Sequence, residues 1–380
     1  MLAPSHSLLL SLALAAGAAS VAAAPTSSPR GTLSDATLAL IKSNLASNDG
    51  DTWVSGTETQ ALLELDYPEL SVFSPSFLKS TLVPSATNAI IDKWYAKRPS
   101  DAQQMAIVSG GAAGDPASLG VAWILAAKTE SKSAYDQVIK EELNYLLNTV
   151  ARTSDGAISM RPTDEPVQLW ADYMYMVPPF LAAYGAFNSD TSVLSQAYTQ
   201  CKLYRNYLQD PSTKLWKHIV MGDWGDVGLW GTGNAWAAAG MTRVAATMLN
   251  SPYASSYASE IEDLRAWTNE ILVAAFSRLQ SGNLLPNYYD KSSTFLDSSS
   301  SALLAATSLR LATLGLKQTS TNLAIASAIR LAVNDKVDTS SGWLQDVVDP
   351  LSWEDEVNKS PEGQAFVLLL HAAWADYIAL

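Results

Sequence analysis

One cysteine, Cys201, stands in 380 residues, so the chain can form no disulfide of its own, and a domain of this length needs none. Histidine is nearly as scarce: of three, only His218 and His371 lie beyond the N-terminal stretch. Charge is thin at 16% of residues, and the 24 basic side chains are outnumbered by 37 acidic ones, a net charge of −13. That deficit of positive charge excludes nucleic acid and anionic membrane as partners, and a polyanionic substrate would need a local basic pocket. Beyond the N-terminus no apolar run reaches the length of a membrane span, and no Gly/Ser/Pro-rich linker divides the chain.

Apolar residues, by contrast, make up 48% of the sequence, enough for a large core under a lightly charged surface. Residues 1–23 read as a secretion signal peptide, with an apolar stretch around Leu8 to Leu14 and a small-residue cleavage site at Val21-Ala22-Ala23. A soluble, secreted, extracellular protein is the expectation. Residues 24–33, rich in Pro, Ser and Thr, are expected to be mobile, and residues 34–380 to form one domain.

Helical periodicity dominates that domain. Ser34 or Asp35 caps a first helix, and Thr57 to Leu65 and Ser85 to Ala96 follow. The glycine-rich stretch Gly110 to Gly120 opens a helix from about Ala117 to Lys128, and Ser133 to Asn148 is next. Further segments run over Gln168 to Tyr184, Asp190 to Leu208, Asn234 to Leu249, Ala254 to Leu279, Ser298 to Gly315, Ser320 to Val333 and Glu362 to Ile378. About a dozen helices in antiparallel pairs, with no convincing strand, predict an all-α closed toroid of hairpins, an (α/α)6 barrel. No constant repeat period supports a solenoid. Polar and aromatic residues concentrate in the loops before alternate helices, so the functional loops should share one mouth.

The densest of these junctions is Gln168 to Tyr184, where Trp170, Asp172, Tyr173 and Tyr175 crowd into six residues. A carboxylate among large rings must be supplied with donors or have its pKa raised, and a raised carboxyl is an acid. The plainer alternative is that Asp172 caps a helix and the rings are core. Asp115, the stretch Arg152 to Arg161, and the long loop from Trp216 to Gly233, which carries His218, Asp223, Asp226 and three tryptophans, should converge with it. Carboxylates, one histidine, basic side chains and aromatic rings suit a sugar, whose faces stack on tryptophan while its hydroxyls need polar partners.

The segments RTSDGAISMRP, QLWADYMYMVPPFLAAY, LWKH and LWGTGNAW, in this order, resemble the unsaturated rhamnogalacturonyl hydrolases (glycoside hydrolase family 105) and the related unsaturated glucuronyl hydrolases. SSSSALLAA and SPEGQAFVLLL look like the family's last two inner helices, whereas the first hundred residues match poorly. The resemblance implies an (α/α)6 barrel that removes a terminal 4,5-unsaturated uronic acid from pectic oligosaccharides by hydrating a vinyl ether. It implies no cofactor and no metal, and a monomer is expected. On the family's Trp-x-Asp motif Asp172 is the general acid and base. Asp115 matches the second active-site aspartate; Trp170, His218, Asn234 and Trp236 fall on substrate-binding positions.

Two departures stand out. Thr232 occupies the place of the arginine that precedes the family's Gly-Asn-x-Trp, and threonine cannot pair bidentately with a carboxylate. Met160 stands where a histidine is common, before Arg161, which replaces a lysine and is the remaining candidate to hold the acid group. Three other readings stay open. One is an inverting glycosidase with Asp115, Asp223 or Asp226 as base. Another is a sugar-binding relative without activity, and the third a lyase using Tyr173.

Overall fold

The computed structural model describes residues 32–47, 51–106, 112–316 and 318–380. The expected signal peptide, residues 24–31 of the expected mobile segment, and part of the glycine-rich stretch before Asp115 lie outside them. From Leu33 onward the described residues form one compact unit.

Its twelve α-helices alternate between two kinds of burial. Helices α1 (Asp35–Ala46), α3 (Ser85–Lys97), α5 (Ser133–Asn144), α7 (Thr191–Leu208), α9 (Ala258–Phe276) and α11 (Ser320–Asp335) each bury one stripe. In α7 the stripe is Val193, Leu194, Ala197, Cys201, Tyr204 and Leu208, the spacing of a helix lying on a core. Helices α2 (Thr52–Asp66), α4 (Gly120–Glu130), α6 (Tyr173–Asn188), α8 (Gly231–Leu249), α10 (Ser298–Thr313) and α12 (Pro361–Ile378) are buried over most of their surface; α8 is buried from Gly231 to Met248 without a break. A helix buried on all sides has neighbours on all sides. Here each of these six packs on the next in chain order and α12 packs back on α2, closing the inner ring of an (α/α)6 barrel.

Close approach within the ring depends on missing side chains. A Cβ on Gly240 of α8 would fall 1.9 Å from the Met174 carbonyl oxygen of α6, and one on Gly120 of α4 would fall 2.3 Å from the Phe180 ring. Pro178 and Pro179 sit inside α6, so the carbonyls of Met174 and Tyr175 lack their intrahelical donors. The Arg243 guanidinium takes up the Tyr175 carbonyl at 3.1 Å and reaches Gln60 of α2 at 2.9 Å. Glu64 of α2 then bridges to Arg310 of α10 at 2.8 Å, and Arg310 pairs with Asp376 of α12. Charged side chains thus tie together inner helices far apart in sequence.

The expectation of no strands is corrected. Six short strands form three two-stranded antiparallel pieces: β1 (Gln168–Trp170) with β2 (Ile219–Met221), β3 (Leu285–Pro286) with β4 (Leu296–Asp297), and β5 (Val347–Asp349) with β6 (Ser352–Val357). Most span only two or three residues, too few for alternation to show in the sequence. They also shorten the expected central helix, whose first three residues are β1. Among the described residues no helix is long and apolar enough to cross a membrane.

Candidate active site

The six inner helices run the same way, so their N-termini meet at one end. There Trp53 opens α2, Asp115 lies in a 3-10 turn (Asp115–Leu119) leading into α4, Asp172 precedes α6, Trp230 precedes α8, Asp297 caps α10 and Glu362 lies in the first turn of α12. All but Asp297 line one cavity of about 210 Å³. Met160, Arg161, Trp170, Met176 and Trp353 complete its walls, with Pro350 and Leu351 at the β5–β6 turn.

The β1–β2 pair sets the centre of this site. Trp170 lies opposite Ile219, and the Ala171 amide donates to the His218 carbonyl at 2.8 Å, which seats Asp172 beside the His218 ring. The Asp172 side chain makes no capping hydrogen bond to α6. Its Oδ2 is instead buried 3.5 Å from His218 Nε2, an electrostatic contact too long for a good hydrogen bond. On the far side of the ring, His218 Nδ1 lies 3.0 Å from Asp226 Oδ2, which also accepts the Tyr288 hydroxyl. Burial opposes ionisation of Asp226, but the bonds from His218, Tyr288 and the Gly228 amide prevail and hold its carboxyl well below the usual range. For His218, burial disfavours the charged ring, yet Asp172 and Asp226 outweigh it and raise its pKa. A carboxylate, a histidine and a second carboxylate therefore stand in line, ending at the cavity.

Asp115 meets the same cavity from another helix. Burial first, and then the charges of Asp172 and Asp51, push its carboxyl well above the usual range, with Arg161 opposing. Glu362 behaves alike: burial, helped by Asp172 and opposed by the hydrogen bond from Trp53, pushes it up to about 8. The Trp53 indole donates to Glu362 Oε2 at 3.1 Å. Arg161 spans Glu165 with two hydrogen bonds, 2.6 and 2.7 Å. Around the mouth, the rings of Trp224 and Trp353 lie nearly parallel, 6.4 Å apart, and Trp170 meets both edge-on. Trp224 is 47% exposed, an open aromatic face beside a polar cavity.

Of the residues expected from sequence, Asp115, Arg161, Trp170 and Asp172 line the cavity and His218 backs Asp172. Thr232, Asn234 and Trp236, expected at substrate-binding positions, do not line it. Thr232 is fully buried with its hydroxyl 3.3 Å from Asp297. The Asn234 amide clamps the Trp216 backbone through bonds of 2.8 and 3.0 Å, and Trp236 is packed between Tyr175 and Phe366. All three sit on α8, whose every face is occupied, so spacing along that helix does not reveal which face meets the cavity. Sequence reasoning missed Glu362, Trp53, Trp353 and Tyr288. The one signal available was positional: Glu362 follows the helix-capping Ser360, so it opens an inner helix much as Asp172 does.

Residues 86–313 match the profile of Glycosyl Hydrolase Family 88. The chain belongs to that family. It is a glycoside hydrolase, and the segments that resemble the unsaturated uronyl hydrolases lie largely within the matched span. Solved structures of the same fold include a possible member of the GH105 family from Salmonella enterica serovar Paratyphi A, with TM-score 0.72 and 16% identity over 91% of this chain and 95% of that one. A family 105 glycoside hydrolase from C. acetobutylicum gives 0.69 and 15% over 90% and 99%. The unsaturated glucuronyl hydrolase of Bacillus sp. GL1, responsible for the degradation of glycosaminoglycan, gives 0.59 and 16% over 88% and 94%. In this family 88 chain, no group of three His, Cys, Asp or Glu side chains among the described residues is arranged to hold a metal ion.

Proposed function

We propose that this family 88 hydrolase removes a terminal 4,5-unsaturated uronyl residue from pectin-derived, rhamnogalacturonan-type oligosaccharides. It acts as a secreted monomer, in keeping with the apolar N-terminal stretch. The observation that carries the reading is a pair of carboxyls, Asp115 and Asp172, facing one cavity with His218 and Asp226 lined up behind Asp172.

Hydration of a vinyl ether needs a proton for one alkene carbon and a base for the water that attacks the other. Asp172 delivers the proton to C4, and positive charge develops at C5 and the ring oxygen. Water adds at C5 and returns a proton to the carboxylate. The C5 hemiketal then opens to a ketone, leaving at C1 a hemiacetal that expels the aglycone as its alcohol. Asp115, whose carboxyl burial raises above its ordinary range, shares the cavity with Asp172 and stands ready to hydrogen-bond the incoming water or sugar. The open face of Trp224 and Trp353 suits stacking of the aglycone sugar.

The inverting alternative finds less support. Asp223 is exposed and outside the cavity, and Asp226 is engaged by His218 and Tyr288. The test follows the ultraviolet absorbance of the conjugated uronate in lyase-cut pectin fragments. Wild-type protein should extinguish it, and Asp172→Asn should slow the loss by about 10²- to 10⁴-fold with an unchanged circular dichroism spectrum. An Asp172→Asn variant as fast as wild type would remove Asp172 from the reaction.

A further inference from the structure

A second hollow opens beside the catalytic cavity. The loop between β3 and β4, together with β6, encloses a groove of about 550 Å³ lined by Tyr288, the run from Lys291 to Phe295, and Glu354. That volume falls in the ordinary range of ligand pockets, roughly 300–1,000 Å³. Groove and cavity share a wall. Asn287, fully buried, accepts the Trp230 indole at 3.0 Å and donates to the Trp353 carbonyl at 2.8 Å, while its backbone amide meets the Phe295 carbonyl at 2.9 Å. Trp230 and Trp353 line the cavity, so the groove's loop is pinned to the cavity's own wall. Successive side chains of a strand point to opposite sides, and on β6 Trp353 lines the cavity while Glu354 lines the groove.

The lining is suited to a sugar. Lys291 lies 3.6 Å from the centre of the Tyr288 ring and pairs with Glu354, the two side chains being 37% and 67% exposed. An ion pair this open to water contributes little by itself, so the ammonium can turn to one sugar hydroxyl and the carboxylate can accept another. Ser292, Ser293 and Thr294 add hydroxyls, and the half-buried Phe295 ring adds an apolar face. Charge selects against an acidic sugar. Burial raises the pKa of the Tyr288 hydroxyl, and the nearby Asp226, Glu354 and Asp290 raise it further, so three acidic side chains stand around the groove floor against Lys291. A carboxylate entering there meets like charge, whereas an uncharged sugar does not.

We propose that this groove is a distal subsite for an uncharged sugar unit of the aglycone, gripped through its hydroxyls by Lys291 and Glu354. The unit is either the next one along the chain or a branch on the sugar at the mouth. The inference rests on the hydration reading above and extends its substrate beyond the sugar that stacks at Trp224 and Trp353.

The experiment is calorimetric titration of the full-length Asp172→Asn variant with an unsaturated uronyl-rhamnose disaccharide and three extended forms of it. One carries a neutral hexose as a branch on the rhamnose, one carries a neutral hexose as the next unit of the chain, and one carries a uronic acid there. At least one neutral extension should tighten binding about tenfold over the disaccharide, and the uronic acid should not. Which neutral form gains tells branch from chain. Adding Lys291→Ala or Glu354→Gln, both at exposed positions, should cut that gain to about twofold or less. No gain from either neutral extension, an equal gain from the uronic acid, or a gain that survives either substitution would each overturn the inference. Wild-type turnover of the same four ligands scores the hydration reading separately. Loss of absorbance without tighter binding of an extended form sinks only the subsite. No loss on any ligand sinks the hydration reading, and the titration still decides what the groove accepts.

Discussion

At the scale of single residues, His218 is the hinge between what binds the sugar and what supports the site. Its ring is fixed on one side by Asp226 and faces Asp172 on the other, so Asp226 acts through the histidine. Replacing Asp226 with Asn should lower turnover by about 10-fold or more, because the carboxylate that fixes the orientation and tautomer of the His218 ring is lost. It should also bring the His218 pKa down, so that the basic limb of the pH–rate profile moves to lower pH. An unmoved profile would show that the His218 charge plays no part. That Asp172, Asp115, Arg161, Trp170 and His218 would meet around one cavity was legible because each lies in a local motif or a loop of unusual composition. Glu362 and Trp53 were not: they are 309 positions apart, and only ring closure makes them partners.

At the scale of elements, the inner helices hold together through small residues, and α6 against α8 is the tightest case. With Gly240 replaced by alanine, the new methyl would meet the Met174 carbonyl at 1.9 Å, and that carbonyl already lacks its helical donor because residue 178 is proline. The helices would have to separate, at a cost of about 2 kcal/mol or more. A Gly240→Ala variant with an unchanged melting temperature would contradict this packing account. Helix positions themselves were readable from 3.6-residue periodicity and, for α1, from the cap Ser34, which accepts an amide hydrogen in the first turn. The short strands were not readable. Pairing between β1 and β2 joins segments fifty residues apart, and neither is long enough to carry a pattern.

At the scale of the whole molecule, the packed barrel buries acidic side chains in a low-dielectric interior and makes stability depend on pH. Burial pushes Glu58 up to about 7, and Glu142 and Glu362 up to about 8, and it raises Asp115 as well. In each case the folded state binds a proton more tightly than the unfolded chain. The stability these groups contribute is complete below about pH 4, the ordinary carboxyl range, and is lost as pH rises towards 8. Asp210 and Asp338, held down to about 2 by neighbouring hydroxyls and amides, act oppositely: their contribution is present above the ordinary carboxyl range and fades in stronger acid. The melting temperature should therefore peak in mild acid and decline through neutrality. Glu142→Gln, which preserves the bond from the Met105 amide, should flatten that decline. A wild-type melting temperature that climbs from pH 5 to 8 would contradict it.

The central claim is that Asp172 protonates an alkene carbon and leaves the anomeric bond to break on its own. It is tested most directly by running the reaction in deuterium oxide and examining the product by NMR at early times. One deuterium at C4, together with loss of the double bond, is the expected result. Cleavage that leaves the double bond intact and places solvent oxygen at C1 would contradict the account and identify an ordinary glycosidase in its place.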